Sequence, residues 1–124
     1  GPQIPFINDD MEQALAAARE AGATSAFYTV VRLPWEVAPL FRQWLALHYP
    51  DRAARVMARI QEMRGGKDYN ADFATRMKGS GLWADLIRQR FQTATHRLGF
   101  NRQRIGLDVS QFRPPPSAGQ GHLF

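Results

Sequence analysis

Apolar positions recur along this chain with two different periods, and the change from one to the other marks its elements. The opening Gln3-Ile4-Pro5-Phe6-Ile7 is short and apolar, and Asn8-Asp9-Asp10 interrupts it. Met11, Leu15 and Ala18 then fall at helical spacing in an alanine-rich stretch, which predicts a first helix. Asp9 followed by Glu12 fits a capping box, with the Asp9 side chain accepting an orphan N–H at the helix start. Gly22 is suited to stop that helix, because a residue without Cβ adopts positive φ freely. Ser25 to Leu33 is rich in aromatic and β-branched residues, with apolar side chains at both parities: Ala26, Tyr28, Val30 and Phe27, Val31, Leu33. A strand wetted on one face alternates, whereas one apolar at both parities is covered on both faces, as in parallel sheets. Residues 1–33 thus read as strand–helix–strand. Such a βαβ unit needs a sheet of more than two strands, yet nothing later in the chain reads as another buried strand.

Beyond Pro34 the period is helical. Val37, Leu40, Phe41, Trp44, Leu45 and His48 share one stripe of a second helix, where Pro39 is tolerable only in the first turn. Pro50-Asp51 ends it and begins a third, with Ala53, Val56, Met57, Ile60 and Met63 expected inside and Arg52, Arg55, Arg59 and Glu62 outside. A polar stretch follows from Arg64 to Gly81, with Gly65-Gly66 and Gly79-Ser80-Gly81 at its ends. A fourth helix is predicted over about 82–98, burying Trp83, Ile87, Phe91, Ala94 and Leu98, with Gly99 as its stop. From Phe100 onward, Pro114-Pro115-Pro116 and Gly119-Gln120-Gly121 read as irregular. The expected fold class is α/β: a short βαβ unit over 1–33, three packed helices over 34–99, and an irregular C-terminal tail over 100–124.

Composition narrows the classes. A length of 124 residues suits one domain, and 44% hydrophobic residues is too many for a disordered chain. The absence of cysteine excludes a disulfide scaffold and any thiolate-held metal or iron–sulfur cluster within these residues. No apolar run approaches the roughly 18 residues of a membrane span, and no signal peptide opens the chain, so a cytoplasmic setting without a membrane partner is expected. The net charge of +5 is uneven: residues 1–50 carry three basic and five acidic side chains, residues 51–124 thirteen and six. The second half is therefore the part expected to meet an anionic partner, nucleic acid included, with a solvated arginine-rich surface as the plain alternative.

Catalytic combinations are scarce. His48, His96 and His122 lie far apart without metal-type spacing, and the first two are expected at helix C-termini, where an imidazole suits the dipole. There is no Gly-x-Ser-x-Gly elbow, and Arg64-Gly65-Gly66-Lys67, followed by Asp68, lacks the first glycine and the Ser/Thr of a P-loop. Two segments stand out. Arg64, Lys67 and Tyr69, with Arg76 and Lys78 ahead of the fourth helix, form a candidate anion or nucleic-acid contact. Glycines there admit an anion close to the backbone, Lys and Arg add charge, and Tyr69 or Phe73 offers a stacking face; a plain capped loop is the alternative. The other segment is Arg32-Leu33-Pro34, at the carboxyl end of the buried strand, where ligands of parallel α/β sheets sit. Arg32 either meets a ligand carboxylate there or pairs with an acid such as Asp9 or Glu36.

The segments SAFYTVVRLPWEVAPLFRQWL and MRGGKDYNADFATRMKGSGLWADLIRQRF, with the closing Gln120-Gly121-His122-Leu123-Phe124, resemble the C-terminal part of radical SAM proteins. The branch is the spore photoproduct lyase-like one, labelled DNA repair photolyase or Fe–S oxidoreductase. The resemblance implies a partial TIM-like barrel that binds S-adenosylmethionine and a [4Fe–4S] cluster through a CxxxCxxC motif near its start. Pro2–Ile7 then looks like its fifth strand and Ser25–Leu33 like its sixth, the earlier strands belonging to an absent N-terminal part. It further implies that Ile4, with Arg32, Leu33 and Pro34, lines the adenosine side of the barrel mouth. Without cysteine these residues cannot hold the cluster, so no independent activity is expected. The partners expected are that N-terminal radical SAM part, nucleic acid in a repair role, and a second copy pairing through the exposed sheet edge.

Overall fold

In the computed structural model, which describes residues 1–103 and 106–117, the opening segment forms only a two-residue strand. The elements in order are β1 (Pro2–Gln3), α1 (Met11–Glu20), β2 (Thr29–Val30), α2 (Val37–His48), α3 (Ala53–Met63) and α4 (Leu82–Leu98). β1 and β2 pair in parallel, with Pro2 opposite Thr29 and Gln3 opposite Val30. The class is α/β: a small two-stranded parallel sheet with four helices among the described residues. Gly119-Gln120-Gly121 and His122 lie outside the described residues.

Both strands are shorter than the apolar pattern suggests, for identifiable reasons. Pro5 has no N–H to offer a ladder, Phe6 takes φ 64°, and the N–H groups of Ile7 and Asn8 turn back to the Ile4 carbonyl at 3.2 and 3.3 Å. Residues 4–8 are therefore a turn. Ahead of β2, Ala26 is held by Asn101, which accepts its N–H at 3.0 Å and donates to its carbonyl at 2.9 Å. That stretch is thus tied to the start of the tail, and Phe27 points to solvent.

The double-sided burial of β2 is nonetheless real. Tyr28 and Val30 enter one apolar cluster with Met11, Met63, Ala84 and Ile87, whereas Val31 and Leu33 enter another with Ala38, Leu45, Val56, Met57 and Ile60. The strand is a partition, and its two parities feed two cores. α3 buries Val56, Met57, Ile60 and Met63 as its spacing predicts. α2 does not follow its predicted stripe. Its buried residues are Ala38 and Leu45, with Phe41 half-buried, a narrow i, i+3, i+7 seam against α3 that leaves Val37, Leu40 and Trp44 exposed.

The capping box at α1 does not form. Asp10 is the N-cap and makes no side-chain bond there, while Glu12 takes the Arg90 guanidinium at 2.6 and 2.7 Å. Arg90 also donates to the Asp9 carbonyl at 2.8 Å, so the start of α1 is tied to α4 instead of capping itself. Gly99 ends α4 in the left-handed region at φ 77°.

Candidate functional site

The carboxyl end of β1 opens on a cavity of about 220 Å³ bordered by Ile4, Phe6, Asn8, Trp83, Ile87 and Arg90. In its aromatic wall Phe6 and Trp83 meet edge to face at 5.6 Å, with the Arg55 guanidinium 4.8 Å over Phe6 and that of Arg59 5.0 Å over Trp83. At the rim, the hydrogen bonds from Arg90 hold the Glu12 carboxyl down from 4.5 to about 2, and Glu12 in turn raises the Arg90 pKa. The pair neutralises itself.

Of the residues assigned to the adenosine side, Ile4 alone borders this cavity. Leu33 is 1% exposed and lies in the core, so it faces no ligand. Pro34 is half-buried, and Arg32 is exposed and without an ion pair among the described residues, neither Asp9 nor Glu36 reaching it. The four do not converge. As a set they do not fit an S-adenosylmethionine site, and the cysteine-free chain offers no ligands for the cluster.

The basic loop differs most from expectation. Arg64 is 1% exposed. Its guanidinium donates to the carbonyls of Thr75 at 2.8 Å, Val30 at 3.2 Å and Val31 at 3.0 Å, and it forms no ion pair among the described residues. Burial lowers its pKa first, and the nearby Arg32 adds to the effect. Arg64 is therefore a buried staple between loop and strand, not a surface contact for phosphate. Sequence reasoning placed it in solvent because a guanidinium without an acid is a poor guess for an interior.

The other loop residues do not gather around a common point. Lys67 is exposed and Tyr69 half-buried. The Arg76 guanidinium lies 4.5 Å over the Phe73 ring, and the Lys78 ammonium 5.2 Å over Tyr28. Asp68, in the middle of the loop, pairs with Arg42 at 2.7 Å and accepts from Gln61 at 2.8 Å, and these bonds lower its pKa.

Two features escaped the sequence reading. On the outer edge of β1, the Asn8 carboxamide accepts the Ile4 N–H at 2.7 Å and donates to the Pro2 carbonyl at 2.8 Å. On the outer edge of β2, the Val30 N–H reaches the Met77 carbonyl at 2.7 Å while Arg64 takes the Val30 carbonyl. Among the described residues there is no group of His, Asp and Glu placed to hold a metal ion, and no helix long and apolar enough to cross a membrane. No family model, no curated protein and no solved structure matches this chain.

Proposed function

We propose that this chain is the C-terminal segment of a radical SAM, iron–sulfur-dependent enzyme of the spore photoproduct lyase-like kind. In this reading β1, α1 and β2 extend a partial barrel whose other strands lie in the parent polypeptide, and α2 to α4 close its end. The observation that carries it is the parallel pairing of β1 and β2 through α1. Parallel strands belong almost entirely to larger sheets covered on both faces, and a pair of two-residue strands is far below that size. Large apolar side chains supply surface for the missing body, among them Phe27 at 86%, Trp35 at 84%, Leu40 at 62% and Leu47 at 76% exposure. The cavity at the end of β1 then lies at the barrel mouth, where Ile4, Phe6 and Trp83 provide an apolar wall.

The test begins with the reading frame upstream of Gly1. A CxxxCxxC motif is expected roughly 150–250 residues earlier, going by the usual barrel length. The parent protein, reconstituted anaerobically with iron and sulfide, should then show a [4Fe–4S] spectrum and cleave S-adenosylmethionine to 5′-deoxyadenosine, while this chain alone does neither. A frame without the motif, or a cluster bound by this chain alone, overturns the reading.

A further inference from the structure

The two edges of the small sheet are sealed in different ways, and the difference identifies an interaction surface. In parallel pairing, alternate residues turn their N–H and C=O groups to one neighbour and then to the other. Gln3 turns to β2, and the Val31 N–H reaches its carbonyl at 3.0 Å, so Pro2 and Ile4 turn outward on the far edge. The edge beyond β2 is closed from inside the fold, by the Met77 carbonyl, which accepts the Val30 N–H, and by the buried Arg64, which donates to the Val30 carbonyl. Among the described residues, the edge beyond β1 is closed only by the Asn8 side chain, whose bond to Pro2 lies at the surface.

The groups that Asn8 holds have a particular geometry. An acceptor on residue 2 and a donor on residue 4 flank the position that one residue of an adjacent parallel strand fills, giving its N–H to the first and taking its C=O to the second. The carboxamide of Asn8 presents the same donor and acceptor. We propose that the outer edge of β1 is a strand-acceptor surface, that its occupant is an extended strand running parallel to β1, and that Asn8 holds the place until that strand arrives. The occupant is a different segment, not a second copy. Two copies related by a two-fold axis along the strand direction would bring the same even-numbered groups face to face in register, which leaves each donor without an acceptor. An antiparallel pair of copies would be joined only by the two reciprocal Ile4 bonds, since Pro2 and Pro5 lack N–H groups, fewer than the three a parallel strand makes with the Pro2 carbonyl and both Ile4 groups. In this proposal the sheet edge does not drive self-association.

This inference rests on the parent-enzyme reading only for the source of the strand. Its test is amide hydrogen exchange at Ile4, with Asn8→Ala compared in two chains: this one, and one lengthened upstream by its native codons. In this chain the substitution should speed Ile4 exchange about tenfold or more, because the N–H loses its sole acceptor. In the longer chain it should leave Ile4 protected, since a strand then supplies the acceptor, and both forms should sediment as monomers at concentrations where edge pairing would show. Fast exchange in both chains makes Asn8 a permanent seal and overturns the proposal, as does unchanged exchange in both. Absence of any coding sequence upstream overturns it as well. Strand protection in a longer chain that lacks CxxxCxxC would sink the radical SAM reading and leave this one standing; a cluster-binding parent in which Ile4 stays unprotected would do the reverse.

Discussion

Arg64→Met offers the sharpest test of how this fold is held. The substitution keeps most of the buried stem and removes the guanidinium, so that little of its effect comes from lost volume. Three carbonyls lose a charged donor, at Thr75, Val30 and Val31. Hydrogen bonds to charged groups contribute about 1.5–3 kcal/mol each, and a buried acceptor left unpaired costs about 1–3 kcal/mol. Against this, the folded state no longer desolvates a cation, a relief of several kcal/mol for a group this deeply placed. The Val30 and Val31 carbonyls are in buried bonds, so their loss prevails, and a net cost of about 3 kcal/mol is expected. With total stability of about 5–15 kcal/mol for a domain of this kind, that is a large share. Urea unfolding followed by tryptophan fluorescence should show a midpoint lower by about 1–2 M at an unchanged slope. Arg64→Lys should fall between the two, because a single ammonium cannot span carbonyls from both the loop and the strand. Arg59→Met, which removes a partly exposed guanidinium from the face of Trp83, is the control and should cost about 1 kcal/mol or less. A stability for Arg64→Met within about 0.5 kcal/mol of the parent would refute the reasoning, since the desolvation relief would then equal the bonds lost.

Glu12 contributes a pH dependence of definite sign. Its folded carboxyl is held at about 2 against an ordinary 4.5, so the stabilisation is complete above about pH 4.5 and fades as the pH falls toward 2. Because Glu12 and Arg90 are 36% and 42% exposed, solvent screens the pair to about 0.5–1 kcal/mol, and Glu12→Gln should flatten that limb of the stability–pH curve. Gly79→Ala should cost about 2–3 kcal/mol in urea unfolding, because φ is 71° and the new Cβ would meet the Met63 carbonyl oxygen at 3.1 Å and Cβ at 3.2 Å. Gly66→Ala, at φ 86° with open space around it, should cost only about 1 kcal/mol, and equal losses at the two sites would show that close approach plays no part. The double substitution Leu40→Glu, Leu47→Glu should leave the stability of this chain within about 0.5 kcal/mol, as both side chains are mostly exposed, yet should render the parent protein insoluble or inactive. A fully active double variant of the parent would show that this face of α2 is not covered there.

What the sequence made legible follows period and punctuation. α3 is strongly patterned and buries Val56, Met57, Ile60 and Met63 where spacing puts them, and Gly99 stops α4 as expected, but α4 buries Ala84 and Thr95 beside the expected Ile87 and Ala94 and leaves Trp83, Phe91 and Leu98 half-buried. The apolar content of β2 at both parities correctly implied two covered faces, since Tyr28 and Val30 serve one core and Val31 and Leu33 the other. Pattern failed where hydrogen bonding outweighed hydrophobicity. Ile4–Ile7 is as apolar as a strand, but Pro5 and the positive φ of Phe6 turn it. Glu12 sits at capping distance from Asp9, yet an ion pair to Arg90, far along the chain, is the contact that forms. For α2, hydrophobicity overstated burial, because the helix carries more apolar residues than the narrow seam of Ala38, Phe41 and Leu45 covers.

Arg64 was misplaced for a related reason, and its true place points back to the sheet. Glycine beside arginine and lysine suggests an anion-binding loop when surface is assumed, because a side chain's charge is visible in sequence while the acceptors it will find are not. Arg64 finds carbonyls, since an outer strand edge needs donors as much as a phosphate does, and an edge of a parallel sheet that gains no third strand must be satisfied by something else. Asn8 answers the same need on the opposite side with one carboxamide. A buried guanidinium is costly to remove and a half-buried carboxamide with one bond at the surface is cheaper to displace, so the two seals differ in permanence even though they perform the same hydrogen-bonding task. Among the described residues, the weaker seal therefore lies beyond β1, the side on which the proposed parent enzyme requires its missing strands.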